Sequence, residues 1–355
     1  MTTIFQKRRQ RLARSLQKNN IPALLVTHAA NRYYLSGFEL HDPQCNESAG
    51  AILVTQEGDA WLLTDSRYRD AATRLWPEDR LFMYAGGKDR HIATWIHGLG
   101  IRNLGIEAVS MSVAQFRILE QKVDLVFTKN LVEDLRIIKD SAEIKALRQS
   151  CALNHQVFSQ IEPLLVPGLT EADLAWKIER LFREQGASEL SFETIAAVGP
   201  NSALPHAIPG STVVAGDCPV LVDMGCRLNG YCSDQTRTFW VGDSPGKIFQ
   251  ETLNRVQEAQ QIALEHYKPG EPIKKADQAA RAYFDKHGQG ACFTHSLGHG
   301  VGLETHEPPA VSPRSQVEFR PGMVITAEPG LYYSEWGGVR WEHMVLITKD
   351  GHEVL

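Results

Sequence analysis

Short apolar runs at 23–26, 51–54, 61–63, 81–84, 104–106 and 125–127 punctuate the first 130 residues, each the length of one strand. Between several of them, near 5–19, 66–75, 91–98 and 112–121, apolar positions recur at helical spacing. In the first of these stretches Ile4, Leu12 and Leu16 are expected to face a core. Gly86-Gly87 and Gly98-Leu99-Gly100 break the pattern. Such layering predicts an α/β N-terminal domain over residues 1–130.

After residue 130 the texture changes. The run LVEDLRIIKDSAEIKALRQS leads into a long helix, with Asp140 or Ser141 as N-cap and Glu143 in its first turn. A second helix begins after Thr170, with Asp173 completing a capping pattern and Leu174, Ile178, Leu181 and Phe182 forming one apolar face. Gly186 is its stop. Further helices are expected near 246–267 and 274–287. Strands are expected at 193–198, 220–225, 231–240, 324–328, 339–341 and 344–348. Strands and helices in blocks predict an α+β C-terminal domain over residues 131–355.

A length of 355 residues fits two domains better than one core, and 43% hydrophobic with 22% charged residues is the balance of a globular protein. No apolar run approaches the ~18–20 residues that span a bilayer. The basic N-terminus MTTIFQKRRQRLARSLQ lacks the apolar core of a secretion signal, so the expected location is cytoplasmic. Net charge is −5 and uneven: residues 1–135 hold 17 basic against 15 acidic side chains, and residues 136–355 hold 20 against 27. That acidic half carries no basic stripe of the kind that binds nucleic acid. Six scattered cysteines (Cys45, Cys151, Cys218, Cys226, Cys232 and Cys292), with no C-x-x-C pair, predict reduced thiols rather than a disulfide framework.

Within the acidic half, five residues stand out by their surroundings: Asp223, Asp234, His299, Glu328 and Glu342. The segment 220–241 reads as a hairpin around Asn229-Gly230, the strongest two-residue signal for a type I′ turn. Residue 225 then opposes 234, and 223 opposes 236. Asp223 and Asp234 share one face as diagonal neighbours, ~7–8 Å apart between backbones. Thr236, opposite Asp223, is placed to hydrogen-bond a ligand side chain.

His299 lies between Gly298 and Gly300, expected here to allow close backbone approach to whatever the imidazole binds. His295 and His306 flank it and are available for substrate or proton work. Glu328 ends the apolar run MVITAE, where a carboxylate is costly unless paired or metal-bound. Glu342 shares a period-2 face with Arg340 and Met344, so an Arg340–Glu342 ion pair is its ordinary alternative. Four carboxylates, one imidazole and no thiolate suit hard or borderline divalent cations: manganese, cobalt, iron, magnesium or zinc. Four negative charges match two such ions, which at ~3.5–4 Å separation activate a bridging water and polarise a carbonyl or phosphoryl oxygen.

The strings LVDMGCRLNGYCSDQTRT, THSLGHGVGLETHE, ITAEPGLY and GGVRWEH together resemble the pita-bread-fold metallopeptidases: methionine aminopeptidase, aminopeptidase P, prolidase and their metal-free relative creatinase. The resemblance covers the C-terminal ~220 residues. It implies that Asp223, Asp234, His299, Glu328 and Glu342 hold two divalent metal ions, manganese or cobalt first and zinc or iron next. It implies that His206, in NSALPHA, and His306 contact the substrate or reacting centre, and that Glu328 also transfers a proton. ANRYYLSGF and LLTDSRYRDAA resemble a creatinase-type N-terminal domain, which favours a prolidase or aminopeptidase P. The implied reaction is hydrolysis of an Xaa-Pro bond by a metal-bridging hydroxide, on a proline-containing peptide, in a homodimer, without nucleic acid or membrane. A creatinase-like C–N hydrolase and an inactive binding protein of the same fold are the alternatives. Two departures are His343, where relatives commonly carry Asp, and a longer segment at 39–49.

Overall fold

The computed structural model describes residues 3–44 and 47–355; Cys45 and Asn46, within the 39–49 segment, lie outside the described residues. The chain divides into two compact units, Met1–Arg136 and Ile137–Leu355.

In the first unit a six-stranded sheet runs in the order Leu81–Met83, Ala60–Thr64, Ala51–Thr55, Ala23–Val26, Asn103–Glu107 and Asp124–Thr128. Ala23–Val26 pairs antiparallel with Ala51–Thr55 and parallel with Asn103–Glu107, so the sheet is mixed. The helix Ile4–Lys18 buries Arg8, Leu12 and Leu16, an i, i+4, i+8 stripe, and leaves Ile4 37% exposed. Arg8 takes the expected place of Ile4, because its guanidinium lies 4.1 Å from the Tyr34 ring centroid and donates to the Tyr34 carbonyl.

The helix Ala29–Ser36 carries no local cap, since His28 makes no capping bond. Its start is instead held by Glu107, whose carboxylate accepts from the backbone N–H of Thr27 (2.6 Å) and His28 (2.8 Å). Its end turns at Gly37, φ +75°, where any Cβ would also strike the Phe5 ring at 2.7 Å. The first unit extends to Arg136 rather than 130. Glu133 accepts from Asn31, Arg136 donates to Asn31 Oδ1, and the Leu135 carbonyl accepts from Tyr34 Oη.

In the second unit Asp140, not Ser141, caps the helix Ser141–Phe158: its Oδ1 accepts from Ala142 and Glu143 N–H, and Glu143 reaches back to Asp140 N–H. Thr170 caps Glu171–Glu184, whose Leu174, Ile178 and Phe182 are fully buried. These two helices cover a three-stranded antiparallel sheet of Ile195–Val198, Cys218–Met224 and Gln235–Val241. Helices Lys247–Leu264 and Lys274–Lys286 pack on a five-stranded antiparallel sheet ordered Glu307–Val311, Gly298–Gly300, Val324–Ala327, His343–Ile347 and His352–Val354. A two-stranded ribbon, Gly330–Tyr333 with Gly337–Arg340, completes this α+β unit. Among the described residues no helix is long and apolar enough to cross a membrane, and Cys151, Cys218, Cys226, Cys232 and Cys292 are free thiols.

Candidate metal centre

The hairpin has the register expected from its turn. Asn229 (φ 53°) and Gly230 (φ 82°) form it, Leu228 faces Tyr231, and Asp223 faces Thr236. The ladder is interrupted between Met224 and Cys226, where a Cβ on Gly225 would lie 2.0 Å from the Ser233 carbonyl oxygen. Asp223 and Asp234 flank this break, and both line one cavity of about 500 Å³.

The second sheet supplies the rest. His299 sits on the short strand Gly298–Gly300, Glu328 comes directly after Val324–Ala327, and Glu342 precedes His343–Ile347. All three line the same cavity, together with His206, His295, His306 and Arg340. Asp234, His299 and Glu342 offer atoms that lie within 4.8 Å of one another. His299 Nε2 is 3.2 Å from Glu328 Oε1 and 3.6 Å from Asp234 Oδ2. Asp223 Oδ2 accepts from Arg340 Nη2 at 2.7 Å.

Two expectations need correction, for the glycines and for His295, and the Arg340–Glu342 alternative is not realised. Gly298 and Gly300 are demanded by neighbouring strands, not by what the imidazole binds: a Cβ would meet the Thr326 carbonyl oxygen at 2.1 Å in one and that of Pro308 at 2.4 Å in the other. Arg340 pairs with Asp223 rather than Glu342, and Glu342 Oε2 accepts from Thr236 Oγ1 at 2.7 Å. Thr236 thus hydrogen-bonds a candidate ligand, as its place in the hairpin predicts. His295 is already engaged: Nδ1 bonds the Ser296 carbonyl, which leaves Nε2 to accept from Tyr332 Oη at 2.8 Å. His206 and His306 are both exposed at the cavity, and the His306 and His299 rings are 4.3 Å apart.

Sequence reasoning missed the anchoring behind the candidate ligands. Arg340 Nε donates to Thr236 and its Nη1 to Pro205 O and Tyr332 Oη. Behind Glu342, Arg237 donates to the backbone oxygens of Thr236 and Glu342 and to His343 Nε2. Gln260 Nε2 donates to Ala327 O and Trp341 O, which leaves its Oε1 to accept from His343 Nδ1–H. His343 is thus a neutral link between Gln260 and Arg237. The run VRWEH shows these residue types, but nothing local to it shows their partners.

The electrostatics describe a cluster in which carboxylates outnumber the cations His299 and Arg340. Burial, then the neighbouring carboxylates, push Asp234 and Glu342 well above the usual carboxylate range, and burial raises Asp223 too. Burial also opposes ionisation of Glu328 and His299. Their contact outweighs it, leaving Glu328 at about 2 and His299 at about 9, an ion pair within the cluster. Asp223 Oδ1 is buried without a hydrogen-bond partner. Oxygen donors with one imidazole, mutual repulsion and an orphaned buried carboxylate oxygen fit divalent cations.

A centre of this composition, on facing antiparallel sheets, is that of a metal-dependent hydrolase. Residues 145–349 match the model of metallopeptidase family M24, and residues 8–138 match the creatinase/prolidase N-terminal domain. The chain belongs to metallopeptidase family M24. It is 36% identical to an Xaa-Pro dipeptidase of Pyrococcus horikoshii over 99% of this chain and 97% of that one. The solved Xaa-Pro dipeptidase from Bacillus anthracis superposes with a TM-score of 0.92 at 34% identity, covering 99% and 97% of the two chains. An X-Pro aminopeptidase from Thermotoga maritima superposes at 0.84 with 31% identity, covering 96% and 97%.

Proposed function

We propose that this chain is a dinuclear metal-dependent peptidase that hydrolyses the bond preceding proline. The observation that carries the reading is the convergence of Asp223, Asp234, His299, Glu328 and Glu342 on one cavity. Relatives named Xaa-Pro dipeptidase and X-Pro aminopeptidase support the choice of bond. These five side chains hold two divalent ions, with manganese or cobalt suited to the carboxylate-rich set. When bound, such ions supply hydroxide at neutral pH and polarise the scissile carbonyl.

The protein's own groups do the rest. Glu328 takes the proton of the attacking water and returns it to the proline nitrogen. Oxygen adds to the carbonyl carbon, the C–N bond breaks, and the nitrogen leaves as a secondary amine. His206 and His306 donate to the carbonyl oxygen as it gains charge. Arg340 fixes Asp223, and Thr236 fixes Glu342, so neither carboxylate rotates away when substrate enters.

Cleavage of Ala-Pro-led peptides, abolished by chelator and restored by Mn²⁺ or Co²⁺, is the expected result. Full activity in protein that elemental analysis finds free of metal would sink the reading. Cleavage of Ala-Ala-led peptides as readily as Ala-Pro-led ones would remove the proline assignment.

A further inference from the structure

Given the Xaa-Pro reading, on which this step rests, the charges of the cavity select the group that the substrate carries after its proline. In an Xaa-Pro dipeptide the proline ends in a carboxylate, held one residue from the reacting carbonyl. In a longer peptide that group is a neutral amide. A carboxylate brought into a partly buried site needs a cation or several free N–H donors.

Among the described residues lining the cavity, Arg340 is the one lysine or arginine. Four of its five N–H donors are taken, by Thr236 Oγ1, Pro205 O, Tyr332 Oη and Asp223 Oδ2. Both nitrogens of His295 are engaged as well. Outside the candidate ligands and Arg340, the lining includes the exposed carboxylate of Glu193, which has the wrong sign for a substrate carboxylate. Phe192, Ile208 and Pro209 also line the cavity, Ile208 being 84% exposed, and none of them offers a side-chain partner to a carboxylate. Ala310 is paired with His299 across neighbouring strands and is exposed to the cavity. It presents a methyl group at a position from which a long basic side chain would reach the space beside the centre.

We propose that the chain acts on Xaa-Pro peptides of three or more residues, uncharged directly after the proline, in preference to Xaa-Pro dipeptides. The test compares kcat/KM of the full-length Mn²⁺-loaded protein on Ala-Pro, Ala-Pro-amide and Ala-Pro-Ala-Ala. The amide and the tetrapeptide are expected to exceed the dipeptide by on the order of tenfold or more, the scale of one charge-assisted contact. Ala310→Arg is expected to raise the ratio of Ala-Pro to Ala-Pro-amide turnover by a similar factor. Ala-Pro cleaved as fast as its amide by the unaltered protein overturns this proposal and leaves the Xaa-Pro reading standing. No cleavage of any of the three with Mn²⁺ or Co²⁺ overturns both. The comparison in the unaltered protein stands even where Ala310→Arg fails to fold, and an unchanged ratio in a folded Ala310→Arg counts against the proposal.

Discussion

Two pockets lie along the segment 340–343, and each holds an arginine in very different company. Arg340 and Glu342 line the site cavity, whereas Trp341 and His343 line a separate depression with Arg237. Arg340 is buried against Asp223, and although burial opposes its charge, Tyr332, Asp223 and Glu328 hold it firmly protonated. Arg237 has no ion pair among the described residues. It donates to two carbonyls and a neutral imidazole, lies 4.2 Å from the Trp341 ring centroid, and is lowered by burial to about 10. One pocket is a set of charges that do not balance. The other is a set of neutral bonds around a single cation that do close. Buried polarity occurs in both, so polarity alone does not mark chemistry; unbalanced charge does.

Asp234→Ala breaks the first pocket most severely, with kcat/KM on an Ala-Pro-led peptide expected to fall by about 10³-fold or more. His343→Gln, which keeps an acceptor for Arg237, is expected to cost less than about tenfold. Equal losses in steady-state assays would erase the distinction between the pockets.

Next in size is Arg340→Met, which strands Asp223 as a buried unpaired carboxylate. Urea denaturation in chelator is expected to show a loss of about 3–5 kcal/mol. Excess Mn²⁺ should shrink that loss, because the ion supplies the missing positive charge. A loss of the same size with and without metal would argue that Asp223 is purely structural.

For the unaltered protein, Mn²⁺ at ~100 times its Kd is expected to add about 2.7 kcal/mol of stability over the chelated form, read as a rise in Tm. No rise would mean that the unbalanced cluster is satisfied some other way. The smallest effect belongs to the closed pocket: Gln260→Ala leaves the Ala327 and Trp341 carbonyls and the His343 Nδ1–H without their partner. It is expected to cost about 1–3 kcal/mol in denaturation, with or without metal.

How much of this was legible in the sequence depended on how local each determinant is. The hairpin register was legible because Asn229-Gly230 specifies its own turn, and the Asp140 and Thr170 caps act within three residues. The two-unit, α/β then α+β organisation was legible from periodicity. Strands Gly298–Gly300, Glu307–Val311 and Gly330–Tyr333 were not, being short, rich in Gly and Pro, and defined by their neighbours. The candidate residues could be named from their strings. Arg340's partner, which candidate ligand Thr236 holds and the reason for Gly298 depend on how two sheets face each other, and no run of adjacent residues encodes that.

The long-range cap on Ala29–Ser36 has a consequence for biosynthesis. An eight-residue helix is too short to persist alone in water. Its stabilising carboxylate, Glu107, emerges from the ribosome some eighty residues later. The nascent segment therefore lacks this carboxylate anchor through most of the translation of the first unit, until the strand Asn103–Glu107 arrives to pair with Ala23–Val26.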